Sequence, residues 1–198
     1  MNRFEFLQHA GLAALSVSVF GKAVPTSKGN FEGDCRTTND ILGPFFRKNA
    51  PQRHDLTWDE LPGNRIELSG TVYGQDCKSP VKGAKVEIWH CDTQGRYDNE
   101  TDRFDHRAMA LTDEDGQYAF KTILPGKYLN GALYRPAHIH FRVTAPGQRE
   151  LVSQLYFKGD PHIEKDPWAS DEKAAYRIRP IALKDTEGNL SVTFDLYL

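Results

Sequence analysis

The chain has 198 residues, enough for one domain with a single hydrophobic core and too few for two ordinary catalytic domains. Its 25 basic and 27 acidic residues are mixed along the sequence and give a net charge of -2. This balance favours neither a nucleic-acid surface nor a polybasic membrane patch, so we expect small molecules or other protein subunits as partners, with a homo-oligomer left open.

The first 23 residues differ from the rest of the chain. A basic residue, Arg3, precedes an apolar run from Ala10 to Phe20 and then small residues up to Ala23. This pattern predicts an export signal over residues 1–23, and therefore a periplasmic or secreted protein. The run is too short and too interrupted for a stable membrane span. Glu5 favours the alternative, an amphipathic N-terminal helix of a cytoplasmic protein.

Residues 24–64 are rich in Pro, Gly, Asn and Thr and show no sustained hydrophobic period. Such composition is typical of irregular chain, so we expect an extended N-terminal arm. Its apolar anchor is the segment "ILGPFF", Ile41 to Phe46.

From Arg65 onward the sequence alternates between short apolar segments and turns. Six segments are rich in β-branched and aromatic residues, and many of them have period-two alternation. The turns contain Pro, Gly, Asn or Asp where the chain must reverse. Residues 65–198 are therefore predicted to form an all-β, immunoglobulin-like β-sandwich, with one short helix at "WASDEKAAY". The predicted strands are "RIELSGTVYG", "AKVEIWHCD", "GQYAFKTI", "AHIHFRVTA", "LVSQLYFKG" and "LSVTFDLYL".

Three cysteines are present, at positions 35, 77 and 91. In an exported protein Cys77 and Cys91 could pair across neighbouring strands and leave Cys35 free, although a single sequence does not fix the connectivity. Three unpaired thiols are the alternative. The absence of any Cys-x-x-Cys spacing disfavours a structural zinc site.

Two histidines, His138 and His140, lie two positions apart in "RPAHIHF", on a segment predicted to be extended. Alternate residues of a strand share a face, so the two imidazoles form half of a metal site. Tyr97 and Tyr128 are the candidate phenolic half. Taken singly, each of the four is a weak signal and is better explained as an ordinary strand histidine or turn tyrosine. Neither histidine is followed two positions later by Asp or Glu, which disfavours the ferrous facial-triad pattern.

Four motifs between about Ile66 and Pro161 together resemble the intradiol ring-cleavage dioxygenases: "PVKGAKVEIWHCDTQGRY", "TDEDGQYAFKTILPGKY", "RPAHIHF" and "QLYFKGDP". The resemblance implies non-haem ferric iron, Fe(3+), with Tyr97, Tyr128, His138 and His140 as its protein ligands. It also implies a catechol-type substrate, O2 as co-substrate and a muconate-type diacid as product.

Three residues receive catalytic roles from the same resemblance. Arg135 would stabilise the negative charge that develops on the substrate, and Gln154 would lie beside it on the adjoining strand. Tyr128 would leave the metal when catechol binds and accept a proton, while Tyr97 would stay bound.

The chain also departs from the family pattern. Leu42-Gly43-Pro44 stands where the family has "EGP", and no helix-rich region of the kind found in catechol-specific members fits before Arg65. A second hypothesis is a non-catalytic, exported immunoglobulin-like binding or spacer domain. The pattern of strands and turns is compatible with this domain as well as with a dioxygenase. A spacer has no need for two tyrosines, two histidines and an arginine in this order.

Overall fold

The computed structural model describes residues 35–198 and, upstream of them, the backbone of Val24–Pro25 and Phe31–Glu32. These last two segments are β1 and β2, which pair antiparallel. The chain divides into two compact units, Met1–Asp34 and Cys35–Leu198. The predicted export signal, residues 1–23, lies outside the described residues. In the second unit, residues 35–64 contribute only isolated bridges, at Gln52 and Asp55.

The remaining strands form a β-sandwich of two main sheets. One sheet has the order β11-β10-β9-β4-β5; the other has the order β12-β13-β3-β14, with β6 also pairing with β3. A separate hairpin pairs β7 with β8. The strands are β3 (Arg65–Tyr73), β4 (Lys85–Trp89), β5 (Arg107–Leu111), β6 (Gln117–Ile123), β7 (Tyr128–Asn130), β8 (Leu133–Arg135), β9 (His138–Thr144), β10 (Leu151–Phe157), β11 (Ile178–Arg179), β12 (Ala182–Leu183), β13 (Leu190–Thr193) and β14 (Leu196–Tyr197).

The hydrophobic core lies between the two sheets and follows the alternation of their strands. On β9 the core-facing residues are Ile139, Phe141 and Val143, each fully buried. Their cross-strand partners on β10 include Leu151 and Leu155, which belong to the same core. Alternation then places the other residues of β9, among them both histidines, on the outer face of this sheet.

Each of the six predicted strand segments contains a strand, and the all-β sandwich is confirmed. Sequence reasoning missed β5, the β7–β8 hairpin and the two-residue edge strands β11 and β12. The predicted short helix is a 3-10 helix, Glu172–Arg177, capped by the side chain of Asp171. A second 3-10 helix spans Ile163–Lys165.

The predicted pairing of Cys77 with Cys91 is wrong. Cys35 is bonded to Cys77, with their Cα atoms 6.0 Å apart, and Cys91 is a free buried thiol. Cys91 follows β4 and its Sγ contacts the Gly126 carbonyl at 3.2 Å, whereas Cys77 lies in the turn after β3. Burial raises the pKa of Cys91 to about 12, so this thiol stays protonated. The disulfide ties the start of the arm to the sandwich.

Across the described part of the chain, no helix combines the length and the apolarity needed to cross a bilayer.

Candidate metal centre

His138 and His140 lie on the outer face of the five-stranded sheet, yet they are 0% and 1% exposed. The register of β9 explains part of this burial. His140 pairs with Gln154 on one side and with Trp89 on the other, and His138 pairs with Tyr156. The Trp89 ring stacks on His140 with centroids 4.8 Å apart and planes inclined by 8°.

The two predicted tyrosines converge on the two histidines. The ring centroids of His138 and His140 are 4.9 Å apart, Tyr128 lies 5.6 Å from His138, and Tyr97 lies 6.2 Å from His140. Tyr97 and Tyr128 are themselves 5.8 Å apart. Residues 35–198 contain no group of three or more His, Cys, Asp or Glu placed to hold a metal ion. The cluster described above combines two histidines with two tyrosines.

The hydrogen bonds of the two imidazoles leave nitrogen available inside the cluster. Nδ1 of His138 lies 2.7 Å from the Pro136 carbonyl, so it carries the proton, and Nε2 is left with a lone pair that faces the Tyr97 hydroxyl at 3.4 Å. Both ring nitrogens of His140 are buried without a hydrogen-bond partner in the described chain. A buried nitrogen of this kind is costly unless it binds something.

Burial shapes the protonation of the cluster. It lowers the pKa of His138 to about 3, with Arg135 adding to the shift, and it lowers the pKa of His140 well below the usual range. Both rings are neutral near pH 7, the form that coordinates metals. Burial also raises the pKa of Tyr97, so this phenol ionises near neutral pH only beside a cation.

The arm covers the cluster. Phe45 stacks on Tyr97 and meets Tyr128 edge-on at 5.8 Å, while Phe46 packs on Trp89 at 5.0 Å. Gly43 has φ +72°, and a Cβ there would lie 3.2 Å from Cε1 of His140. The prediction of "ILGPFF" as the apolar anchor of the arm agrees with these contacts, and the departure at Leu42-Gly43-Pro44 preserves the glycine that the histidine requires.

Arg135 ends β8, directly opposite Tyr128 on β7. It is 2% exposed and forms an ion pair with Asp166, Nε to Oδ2, at 2.7 Å. Its guanidinium also lies 4.4 Å from the ring centroid of Trp168. Burial by itself lowers the pKa of Arg135, but Asp166, Tyr156 and Tyr128 together raise it, so the group is cationic. Nη1 is buried and has no hydrogen-bond partner in the described chain.

Gln154 lies beside Arg135, as the sequence predicted, but its polar atoms are already engaged by protein groups. Its Nε2 donates to the Ile41 carbonyl at 2.8 Å, and its Oε1 accepts from Arg135 Nη2 at 3.1 Å and lies 3.1 Å from the Tyr156 hydroxyl. It links the arm to the arginine. Its direct catalytic role stays a prediction.

The structure thus brings all six predicted site residues together. Sequence reasoning missed the side chains that hold them, Asp166, Trp168, Tyr156, Trp89 and Phe45. One signal was available: Tyr156 lies two positions after Gln154 in "QLYFKGDP" and so shares its strand face. Asp166 and Trp168 lie in an irregular segment. Its sequence has no periodic pattern from which the contact with Arg135 could be predicted.

A dioxygenase family model matches residues 41–198. The chain is 34% identical over 169 residues to a chlorocatechol 1,2-dioxygenase of Rhodococcus opacus, an alignment covering 73% of this chain and 63% of the relative. It is 36% identical to a catechol 1,2-dioxygenase of Acinetobacter baylyi, covering 82% of this chain and 62% of the relative. The chain therefore spans less than two thirds of the length of these two relatives.

Among solved structures, the dioxygenase domain of a dioxygenase carbohydrate-binding protein fusion from Streptomyces sp. SirexAA-E is similar, with a TM-score of 0.70 and 32% identity. That match covers 82% of this chain and 97% of the other.

Proposed function

The chain belongs to the intradiol dioxygenase family, and from this premise we propose that it cleaves catechol-type rings between the two hydroxylated carbons, using O2 and one non-haem ferric ion. The ligands would be Tyr97, Tyr128, His138 and His140. The observation that carries the proposal is the convergence of two buried imidazoles with two half-buried phenols, and both nitrogens of His140 have no hydrogen-bond partner among the described residues.

The donor set fits ferric iron on chemical grounds. Fe(3+) is a hard cation that prefers anionic oxygen, which two phenolates supply, and imidazole suits iron as well. The Pro136 carbonyl fixes the tautomer of His138 and directs Nε2 into the cluster. A ferric ion also supplies the positive charge that a buried Tyr97 needs in order to ionise. A spacer domain would gain nothing from orphaned buried imidazole nitrogens.

When bound, ferric iron would act as a Lewis acid that is chelated by the two catechol oxygens and activates the ring towards dioxygen. The protein residues then have separate tasks. Tyr128, on the β7–β8 hairpin, is the phenol proposed to leave and to accept a catechol proton. Tyr97 is packed beneath Phe45, with a ring-centroid distance of 4.2 Å, and would remain in place.

Arg135 is the group proposed to stabilise negative charge on the substrate. Tyr128 lies opposite it in the β7–β8 hairpin, and its phenol contributes to the raised pKa of the guanidinium. Nη1 has no hydrogen-bond partner in the described chain. A preorganised cation in a water-poor site stabilises developing charge far more than the same cation in water. The aromatic side chains of the arm help to exclude water from this region.

The test is the visible spectrum and metal content of purified protein. Two phenolates on ferric iron should colour it burgundy through charge transfer, with about one iron per chain. A colourless preparation that contains only zinc, after expression with ample iron, would contradict the proposal.

We also propose that the protein is exported. The apolar run near the N-terminus supports this, and so does the Cys35–Cys77 disulfide, because disulfides persist mainly in oxidising compartments. Mass spectrometry of the protein from its native host should find a mature terminus near Ala23 and an intact disulfide. A soluble cytosolic protein that retains Met1 or Asn2 would contradict it.

A further inference from the structure

A second buried cluster links the N-terminal arm to Arg135. At its centre is the hydroxyl of Tyr156, which lies 2.8 Å from Oδ2 of Asp40, 3.0 Å from Nη2 of Arg135 and 3.1 Å from Oε1 of Gln154. Asp40 belongs to the arm, and it also forms an ion pair with Arg177. The side chains of Asp40 and Arg177 are 1% and 3% exposed.

The chemistry of these groups fixes the direction of the hydrogen bonds. The Tyr156 hydroxyl has one proton to give, an ionised carboxylate only accepts, and a guanidinium only donates. The carboxylate of Asp40 is the stronger and nearer acceptor, so the proton points to Asp40. The phenol oxygen is then left to accept from Arg135.

The same reasoning accounts for the donors of Arg135. Nε donates to Oδ2 of Asp166 at 2.7 Å. Nη2 has two protons and three acceptors, Tyr156 at 3.0 Å, Gln154 at 3.1 Å and Oδ1 of Asp166 at 3.3 Å. Nη1 has two protons and no acceptor in the described chain. The acceptors thus engage Nε and Nη2, and the two donors of Nη1 are left over.

We propose that Asp40 is a positioning residue for the intradiol reaction: by accepting the hydrogen bond of the Tyr156 hydroxyl it makes the phenol oxygen an acceptor for Arg135 Nη2, which leaves Nη1 to bind the substrate. The inference rests on the proposed function. It gives the arm a role in turnover beyond covering the metal centre.

A merely structural role for this cluster predicts a different result. If Asp40 and Tyr156 only attached the arm, their loss would lower stability and iron content, and its effect on turnover would not depend on Arg135. If they act through Arg135, their effect on turnover should vanish once Arg135 is gone.

The experiment compares iron-loaded Tyr156→Phe, Arg135→Ala and the double variant with wild type. Tyr156→Phe removes only the hydroxyl and leaves the Asp40–Arg177 pair intact. We expect kcat with catechol to fall about tenfold, a smaller loss than the 10²–10³ typical of removing a direct donor to the reacting atoms. Iron content and the visible band of the resting protein should match those of wild type. In the Arg135→Ala background, the same substitution should change kcat by less than about twofold.

Asp40 itself is tested with Asp40→Ala, which removes the acceptor of the Tyr156 hydroxyl. Because this change leaves Arg177 as a buried unpaired charge, a companion double variant, Asp40→Ala with Arg177→Met, removes both charges together. We expect the single and the double variant, if folded, to lower kcat in the same way as Tyr156→Phe.

Ser153→Ala is the matched control. Ser153 Oγ also joins β10 to the arm, donating to the Thr38 carbonyl at 2.9 Å, but it lies on the opposite face of the strand from Tyr156. It should keep kcat within about twofold of wild type, because its hydroxyl bonds the arm backbone and not Tyr156 or Arg135.

The proposal would be overturned if Tyr156→Phe lowers kcat as much in the Arg135→Ala background as in wild type. Full activity of Tyr156→Phe would overturn it as well. If wild type holds iron but cleaves no catechol, the proposed function fails, and crystal structures of wild type and Tyr156→Phe then judge the positioning alone. A displaced Arg135 guanidinium supports it, and a guanidinium that keeps its place overturns it.

Discussion

The ring of Phe45 stacks on the ring of Tyr97, with centroids 4.2 Å apart and planes inclined by 16°. Phe45 belongs to the arm, and Tyr97 lies in the loop after β4. The Phe45 carbonyl also accepts a hydrogen bond from the buried guanidinium of Arg107, whose Nε donates to the Asp98 carbonyl next to Tyr97 at 2.8 Å. One arginine therefore fixes both segments, and the arm is an integral wall of the candidate metal centre.

The first prediction concerns Gly43, where the arm approaches His140. Gly43→Ala should lower stability by about 1–2 kcal/mol because a side chain at φ +72° is strained. The new Cβ would also lie 3.2 Å from the imidazole, so iron content should fall as well. Thermal unfolding and metal analysis measure the two effects.

The variant Gly147→Ala separates the effect of backbone strain from the effect of contact with His140. Gly147 has φ +73°, and a Cβ there would meet nothing within 4 Å. It should show the loss of stability without the loss of iron. Equal iron content in the two variants would show that Gly43 does not support His140.

The metal-ligand candidates were predictable because the relevant rule is local. Alternation on an extended segment places His138 and His140 on one face whatever the rest of the fold does. Asp166 could not be found in this way. It reaches Arg135 across 31 positions of sequence from a segment between two 3-10 helices, and only tertiary packing decides that contact. The cysteine pairing failed for a similar reason, since Cys35 lies in irregular chain whose position no periodicity defines.

The second prediction concerns the ion pair between Arg135 and Asp166, whose side chains are 2% and 1% exposed. Asp166→Asn keeps an oxygen for the backbone N–H groups of Trp168 and Ala169 but leaves Arg135 a buried charge without its counter-ion. We expect a loss of about 3–5 kcal/mol in the free energy of unfolding. Urea denaturation measures it. Glu114→Gln, which breaks an exposed pair with Lys82, should cost less than about 1 kcal/mol. Comparable losses would contradict the assignment of Arg135 as a buried cation.

The third prediction is a pH dependence that arises from His90. This fully buried imidazole lies 2.8 Å from the Cys91 carbonyl and 2.7 Å from Thr122 Oγ1, and burial, followed by His106, lowers its pKa well below the usual range. Below about pH 6.5 the unfolded chain binds a proton at this histidine that the folded protein does not bind. The free energy of unfolding should therefore fall as the pH decreases below about 6.5. Above that pH the neutral His90 makes its full contribution to stability.

Urea denaturation of iron-free protein measures this slope. His90→Gln should reduce it by up to about 1.4 kcal/mol per pH unit between about pH 6 and pH 5. Near pH 8 the substitution should leave the slope unchanged. An identical slope in both proteins across the acidic range would mean that folded His90 takes up the proton.

The fourth prediction separates the two tyrosines. Tyr128→Phe should retain iron but slow the binding of catechol, because Tyr128 is proposed to leave and accept a proton. Tyr97→Phe should lose more iron, because Tyr97 is proposed to stay bound beneath Phe45. Replacing either His138 or His140 with Ala should remove most of the iron, since no neighbouring donor can replace the lost ligand. Metal analysis and stopped-flow mixing with catechol distinguish these cases, and identical behaviour of the two tyrosine variants would refute the division of roles.

The last prediction is the position of ring cleavage. A ferric centre activates the chelated catechol itself, so oxygen should attack a carbon that carries a coordinated oxygen and the bond between the two hydroxylated carbons should break. The product from catechol should be a cis,cis-muconate-type diacid, identified by mass and ultraviolet absorbance, and protocatechuate, hydroxyquinol and methylated catechols would show the substrate range. Arg135→Ala should lower turnover far more than iron content, because the free Nη1 is assigned to charge on the substrate and lies outside the ligand set. Yellow semialdehyde products would show cleavage beside the diol, and that result would exclude the intradiol mechanism however well the four ligands bind iron.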